Sequence, residues 1–456
     1  MATTSIVMYR YPVKKLISHC PAILCAGIVY VLLLKFVRQL LPFTVPNPLQ
    51  VSLKCKLNYS EKNNWTHIQN LGLFIRIVHF DPRVNELKFL AYRQHQASCD
   101  YECLFLLQNG NVVVSTDNYS RSTCRRIDLA GRSDEYGPYF VQCPAAIALE
   151  SDEKKPLRAS LGLKGVQACI GAKHKALWKT ITYPAMVPLT RWNLAVCVKP
   201  TYKYTNYTKL LMFMEYYRHL GADQMFLFNH SWSPTIESLV NHYQSDLGFL
   251  NVTHWHNFLD FNVSTVSDEF FNVPQVDVAI AAGQILAMHD CNLRNMHAGT
   301  KFVAHLDLDE YIYFEGVNSA SGLLSALEAH MKPESDIGSI LIRNRFVNII
   351  RHDKATLEVT KDDYLWPANQ RGKIVVRPER IYRMHIHSVN QHFNGYRANI
   401  LSPEVAILYH DNLDPKRPRQ HSRYSWIHPQ FTKMVQLTLE KVDSYVNEHI
   451  SGMTKA

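Results

Sequence analysis

Runs of like charge are absent from this chain. Its 49 lysines and arginines outnumber 39 aspartates and glutamates, giving a net charge of +10, yet the basic residues are scattered. Zinc-ligand spacing and the aromatic signature of RNA-binding modules are missing too, so nucleic acid is a poor candidate partner. Mild positive charge suits small anions and membrane surfaces equally well. Disorder is excluded by composition: 47% hydrophobic residues over 456 positions suffice for sizeable cores and two or three domains. Long apolar runs are missing from all but one place.

That place is near the N-terminus. Leu16 to Leu34 is uncharged for 19 residues, and apolar character resumes beyond Lys35 as far as Leu41. This length crosses a thin bilayer, with Lys35 and Arg38 able to snorkel. A cleaved signal peptide is the competing reading. Small residues suited to cleavage lie inside the run and not after it, which favours an uncleaved anchor. Flanking charge barely orients it. Beyond it stand eight cysteines, Cys55, Cys99, Cys103, Cys124, Cys143, Cys169, Cys197 and Cys291, an even number that permits disulfides. Seven Asn-x-Ser/Thr sequons begin at Asn58, Asn64, Asn118, Asn206, Asn229, Asn251 and Asn262, all on the same side. The expected layout is a cytosolic tail (1–15), a signal anchor (16–41) and a large lumenal body, a single-pass type II protein of the secretory pathway. The last residues, Met453 to Ala456, form no endoplasmic-reticulum retention signal.

Pro42, Pro46 and Pro48 with two sequons make 42–70 an exposed stem. From 71 to 185 the signals are β-like: Leu73 to Phe80, Leu87 to Tyr92, Cys103 to Leu107 and Val112 to Ser115, with a turn at Gln108-Asn109-Gly110-Asn111. A small β-sandwich is expected there. The pattern changes near Arg191. Leu194 to Val198 reads as a buried strand, Leu210, Phe213, Met214 and Tyr217 recur at helical spacing before Gly221, and Met225 to Phe228 is a second strand. Helices from Pro234 to His242 and Val276 to Asp290, and strands at Phe249 to Val252 and before Asp307, continue the alternation. It predicts a mostly parallel sheet with helices on both faces over 186–425, followed by a C-terminal extension (426–456).

Three carboxylates, Asp307, Asp309 and Glu310, follow the apolar run Phe302-Val303-Ala304. Such hard oxygen donors can hold Mg²⁺ or Mn²⁺ whose shell is completed by water and a ligand's phosphates, and a nucleotide-sugar diphosphate fits that role. A solvated acidic turn is the alternative. Ligands of parallel sheets bind at the strands' carboxyl ends, where this turn falls.

Several ordered blocks resemble glycosyltransferase family 92: Val196-Cys197-Val198-Lys199-Pro200, Glu215 to Asp223, Phe228-Asn229-His230-Ser231, Ala287 to Cys291, Leu306 to Glu310, Lys373 to Glu379 and Met384-His385-Ile386-His387. They span about Trp192 to Val389. The resemblance implies an α/β GT-A-like, Rossmann-type catalytic domain behind the β-sandwich and the N-terminal transmembrane helix. It further implies a Mn²⁺-dependent, inverting Golgi galactosyltransferase that adds β-linked, specifically β1,4, galactose from UDP-galactose to a terminal sugar of glycoprotein glycans. Another UDP-sugar, or an inactive membrane-tethered lectin, is the alternative. By the same resemblance Asp309 is the first metal ligand, Asp307 shares the metal or contacts ribose, and His387, with His385 beside it, is the downstream imidazole. Glu310 either orients the donor or stabilises the turn. Lys199 and Asn229 close two strands where the nucleotide is received; Asn229 is otherwise a surface glycosylation site. Lys373, Arg377 and Arg380 are candidate neutralisers of the diphosphate. Cys197 and Cys291 fall in these blocks and form either a core disulfide or two buried thiols. Inversion needs a general base. The sequence assigns none; Asp336, Asp353, Asp362, Asp363 and Glu404 follow the acidic motif. A homodimer through stem or membrane helix is compatible with this layout.

Overall fold

The computed structural model describes residues 66–68, 73–94, 101–107, 112–114, 123–126, 136–144, 156–163, 179–184, 192–201, 204–255, 275–353, 356–368, 370–411 and 424–450. The expected anchor, nearly all of the stem and the turn at 108–111 lie outside them. Among the described residues no helix is long and apolar enough to cross a membrane.

Strands β1 (Thr66–Ile68), β2 (Leu73–Asp81), β3 (Glu86–Gln94), β4 (Tyr101–Leu107), β5 (Val112–Val114), β6 (Thr123–Arg126), β7 (Tyr136–Pro144), β8 (Pro156–Leu163) and β9 (Lys179–Thr182) form one nine-stranded sheet. Its order is β5-β4-β8-β9-β2-β3-β7-β6, with β1 beside β2. The Cys103–Cys143 disulfide ties β4 to β7, although four strands separate them in that order. The sheet therefore bends over its own apolar face and encloses Leu73, Ile75, Phe89, Phe105, Val141 and Leu161. The expected sandwich is a single folded sheet. A register shift between Ile75 and Ile77 keeps Val78 and Phe80 on the inner face. The outer face, with Phe74, Leu90, Tyr92 and Phe140, packs on a long helix of the following segment.

That segment is built on β10 (Leu194–Val198), β11 (Gln224–Asn229), β12 (Leu250–His254), β13 (Phe302–Leu306), β15 (Ile337–Ile342), β18 (Lys373–Val376) and β21 (Arg397–Ile400). The sheet order is β12-β11-β10-β13-β18-β15-β21. Strands β12 to β13 are parallel, as the alternation predicts, but β18 enters antiparallel to both β13 and β15, so the sheet is mixed. Helices α1 (Tyr207–His219), α2 (Pro234–Ser245), α3 (Gln275–Ala298), α4 (Ala320–His330) and α5 (Pro429–Tyr445) cover it. Leu194, Val196 and Val198 share a core with α1, α2 and α5, whereas Ala195 and Cys197 face α3. This is strand alternation with both faces covered. The Cys197–Cys291 disulfide fastens β10 to α3, which resolves the two readings of that pair. Helix α5 contributes Phe431, Met434 and Val435 to the same core.

A five-stranded sheet runs β14 (Glu310–Phe314), β22 (Ala406–Asp411), β16 (Asn344–Arg351), β17 (Leu357–Asp362) and β23 (Tyr424–Trp426). Its decisive register is antiparallel: Glu310 opposes His410. A short ribbon of β19 (Ile381–Met384) and β20 (Val389–His392) completes the described elements that concern the site.

Candidate active site

Asp307, Leu308 and Asp309 turn the chain from β13 into β14. The turn closes on itself: Glu310 N–H donates to the Asp307 carbonyl at 3.1 Å, and Asp307 N–H donates to Glu310 Oε2 at 2.8 Å. Leu308 is buried in the core beneath it.

Two ladders deliver cations to this turn. Val198 pairs with Leu306 and Ile374 with His305, so the next residues outward, Lys199 and Lys373, flank Asp307. Both Nζ atoms lie 3.0 Å from Asp307 Oδ2. Lys373 is buried and also reaches Glu310 Oε2 at 3.4 Å, whereas the Lys199 side chain remains 42% exposed. Burial would raise the Asp307 pKa, but the two ammonium groups hold it below the usual carboxylate range. Burial would lower both lysines; the carboxylates keep them raised and charged. Gln284 of α3 donates to Asp307 Oδ1 at 3.5 Å.

On the other side of the turn, Asp309 Oδ2 lies 3.2 Å from His410 Nε2. Asp309 is 40% exposed and His410 15%, so the carboxylate is the half of the pair that faces solvent. Burial opposes both charges, yet the mutual hydrogen bond lowers Asp309 and raises His410. The amide of Asn344 stands 3.3 Å from His410 Nδ1. Glu310, fully buried, is pushed up to about 7 chiefly by desolvation, against the pull of Lys373. Its contacts make it the clamp of the turn, the second of its two expected roles.

The expected residues divide accordingly. Asp307, Asp309, Lys199 and Lys373 are brought together. Asn229 ends β11 in a cavity of about 260 Å³ shared with Trp232, Glu237 and His254; it is buried, and its Oδ1 has no partner among the described residues. His387 makes no hydrogen bond to Asp309, although Lys373 and Asp307 are among the charges that act on its ring. The chain turns after β19, so strand alternation does not hold there, and His387 Nδ1 donates to the Gly372 carbonyl at 3.1 Å. Burial, then Lys373, lowers its pKa to about 4. Arg377 lies at the opposite end of β18, where its Nε donates to the Met331 carbonyl at 2.7 Å and its guanidinium covers Phe302. Arg380 binds the carbonyls of Ser335 and Ile337. Neither arginine reaches the acidic turn. Among the base candidates, Asp336 pairs with Arg397, Asp353 and Asp362 accept backbone N–H groups of Thr356 and Tyr364, and Glu404 accepts from Ser402.

His410 is the neighbour of Asp309 that the sequence did not point to. Its only sequence signal is an imidazole at the end of the apolar strand Ala406-Ile407-Leu408-Tyr409; no spacing links it to Asp309, because register across β14 and β22 makes the contact.

Do these residues suit a divalent cation? Among the described residues no three His, Cys, Asp or Glu side chains gather as a metal cage. Asp307 is engaged by two ammonium groups, whereas the Nδ1 bond of His387 to the Gly372 carbonyl leaves its Nε2 open, with Asp307 among the charges that act on the ring. Asp309 is the more exposed carboxylate, and it has the His410 imidazole beside it; these two, or Asp309 with the open nitrogen of His387, suit a cation that takes its other ligands from phosphate and water.

No curated protein sequence matches the chain. Among solved structures, GalNAc-T7 with UDP, GalNAc and Mn²⁺ is similar at TM-score 0.25 and 7% identity, over 52% of this chain and 45% of that one. The mannosyltransferase PcManGT from Pyrobaculum calidifontis, in complex with GDP-Man and Mn²⁺, is similar at TM-score 0.27 and 13% identity, over 57% and 71%. This chain thus spans less than half the length of GalNAc-T7. The family model described as glycosyltransferase family 92 matches residues 193–453, from the start of β10 to beyond α5 and with every residue of the acidic turn inside it. The chain belongs to glycosyltransferase family 92.

Proposed function

We propose that this glycosyltransferase transfers β-linked galactose, in β1,4 linkage, from UDP-galactose to a terminal sugar of glycoprotein glycans. The supporting observation is the division of labour at the acidic turn: a solvent-facing ammonium, Lys199, held by Asp307 beside the open pair Asp309–His410. The mixed sheet serves as a GT-A-like donor platform. The nucleotide lies over the carboxyl ends of β10 and β11, with Asn229 in the adjoining cavity and the diphosphate at Lys199.

In the transfer, the acceptor hydroxyl oxygen attacks the anomeric carbon on the face opposite the diphosphate. The bond from that carbon to the β-phosphate oxygen breaks, its electron pair leaves with UDP, and the hydroxyl proton passes to a base. Lys199 offsets the growing negative charge. Asp307 and Glu310 keep Lys199 and Lys373 charged and fixed, so no reorganisation is needed when that charge appears. Mn²⁺ held by Asp309 and His410 would supply Lewis-acid stabilisation of the same oxygens. In the cell, this body would work in the Golgi lumen, behind a stem (42–70) and a type II signal anchor (16–41).

A donor screen tests it. Galactose transfer from UDP-galactose, dependent on manganese and stopped by a chelator, is the expected outcome. Preference for UDP-N-acetylglucosamine or UDP-glucose would replace the donor, and transfer from none of the three would overturn the enzymatic reading.

A further inference from the structure

His410 has a second neighbour that donor binding does not use. Phe346 pairs with it across β16 and β22, and the two rings stand 5.0 Å apart. Beyond Phe346 the aromatic surface continues: Trp366 meets it edge to face at 5.9 Å, and Tyr364 meets Trp366 in the same manner at 5.2 Å. The Arg371 guanidinium lies 4.7 Å from the Trp366 ring centre and 5.5 Å from that of Phe346. A line of contacts thus runs from Lys199 through the acidic turn and His410 to a ledge of rings, whose outermost member, Tyr364, is 36% exposed.

Two features of this ledge cost stability. Arg371 is held at φ +52, a left-handed conformation that a long side chain rarely adopts. The next residue must be glycine, since a Cβ on Gly372 would stand 2.7 Å from the Ala368 carbonyl oxygen. Trp366 Nε1 is buried with no acceptor among the described residues. Strained backbone clusters at functional sites, and a buried donor without a partner calls for an explanation.

We propose that Tyr364, Trp366 and Arg371 form the platform for the acceptor's terminal sugar, a reading that rests on the glycosyl-transfer function above. A pyranose offers a C–H face to aromatic rings and hydroxyls to a planar guanidinium, and this ledge presents both kinds of partner together. Its place also suits the chemistry. The acceptor must approach from outside the diphosphate, and His410 stands between the acidic turn and the rings.

The test compares wild type with Tyr364→Ala and Arg371→Gly, using UDP-galactose with methyl β-galactoside, methyl α-fucoside and N-acetyllactosamine as acceptor probes. Both variants should raise acceptor KM by about tenfold or more while donor KM moves by less than about twofold. Glycine adopts the backbone at 371 without strain, and thermal unfolding identifies any folding defect in Tyr364→Ala. Unchanged acceptor KM, or a loss shared equally with donor KM, overturns the platform alone. Wild type that transfers to none of the probes from UDP-galactose, UDP-N-acetylglucosamine or UDP-glucose removes the underlying function, and the platform with it.

Discussion

Asp309 and His410 meet at 3.2 Å because Glu310 and His410 are register partners on antiparallel strands. The carboxylate projects from the turn just before β14, and the imidazole comes from the last turn of sequence before the chain leaves β22.

If this pair holds the cation, each half is needed. Asp309→Ala and His410→Ala should each reduce transfer by at least about 100-fold and raise the manganese concentration required for half-maximal rate. Full activity of either variant in limiting manganese would remove that residue from the metal site.

Lys199 and Lys373 share one carboxylate but should fail differently. Lys373 is buried between Asp307 and Glu310, so Lys373→Met leaves uncompensated buried charge and should cost about 3–5 kcal/mol of stability. Lys199 is 42% exposed, and Lys199→Met should act on donor KM with less change in Tm than Lys373→Met. Thermal unfolding and donor titration of both variants separate the roles; equal Tm values would contradict the assignment.

Buried neutral histidines make stability fall in acid. Burial lowers His289 and His297 to about 3 each. His289 Nε2 accepts the Met384 N–H at 3.0 Å, a bond that protonation would break. In the unfolded chain each histidine binds its proton near pH ~6.5, so between there and about pH 3 the unfolded state holds more protons and folding weakens as pH falls. The slope is roughly 1.4 kcal/mol per pH unit for each histidine. Urea unfolding at pH 7, 6 and 5 should show this trend, and His297→Asn should flatten it; a pH-independent midpoint would contradict it.

Gly221, expected from sequence to end the first helix, does so at φ +82. A Cβ there would lie 2.4 Å from Ala320 Cβ at the start of α4. Gly221→Ala should therefore destabilise by more than ~1 kcal/mol, combining backbone strain with overpacking. An unaltered denaturation midpoint would show that α4 can move aside.

Much of this was legible in one dimension. Periodicity located β10, α1, β11 and α2 to within a few residues, because both faces of the sheet are buried and each helix carries one apolar stripe. Lys199, Asp307 and Asp309 were legible because they sit where buried strands end, a position marked by the change from apolar to charged residues. Arg377 was misleading for a related reason. It adjoins Lys373 in sequence, yet four residues of extended strand span more than 10 Å, enough to carry it to the far end of the sheet.

The sequence by itself determined the α/β alternation, the strand-end acidic turn and membership in its family's pattern, since these depend on contacts between near neighbours or on residue types at fixed spacing. Tertiary structure alone decided which charges neutralise Asp307 and which imidazole reaches Asp309. Strand order and register make those choices, and a shift of one residue would turn His410 to the other face of its sheet. The imidazole that pairs with Asp309 therefore had to be found in space.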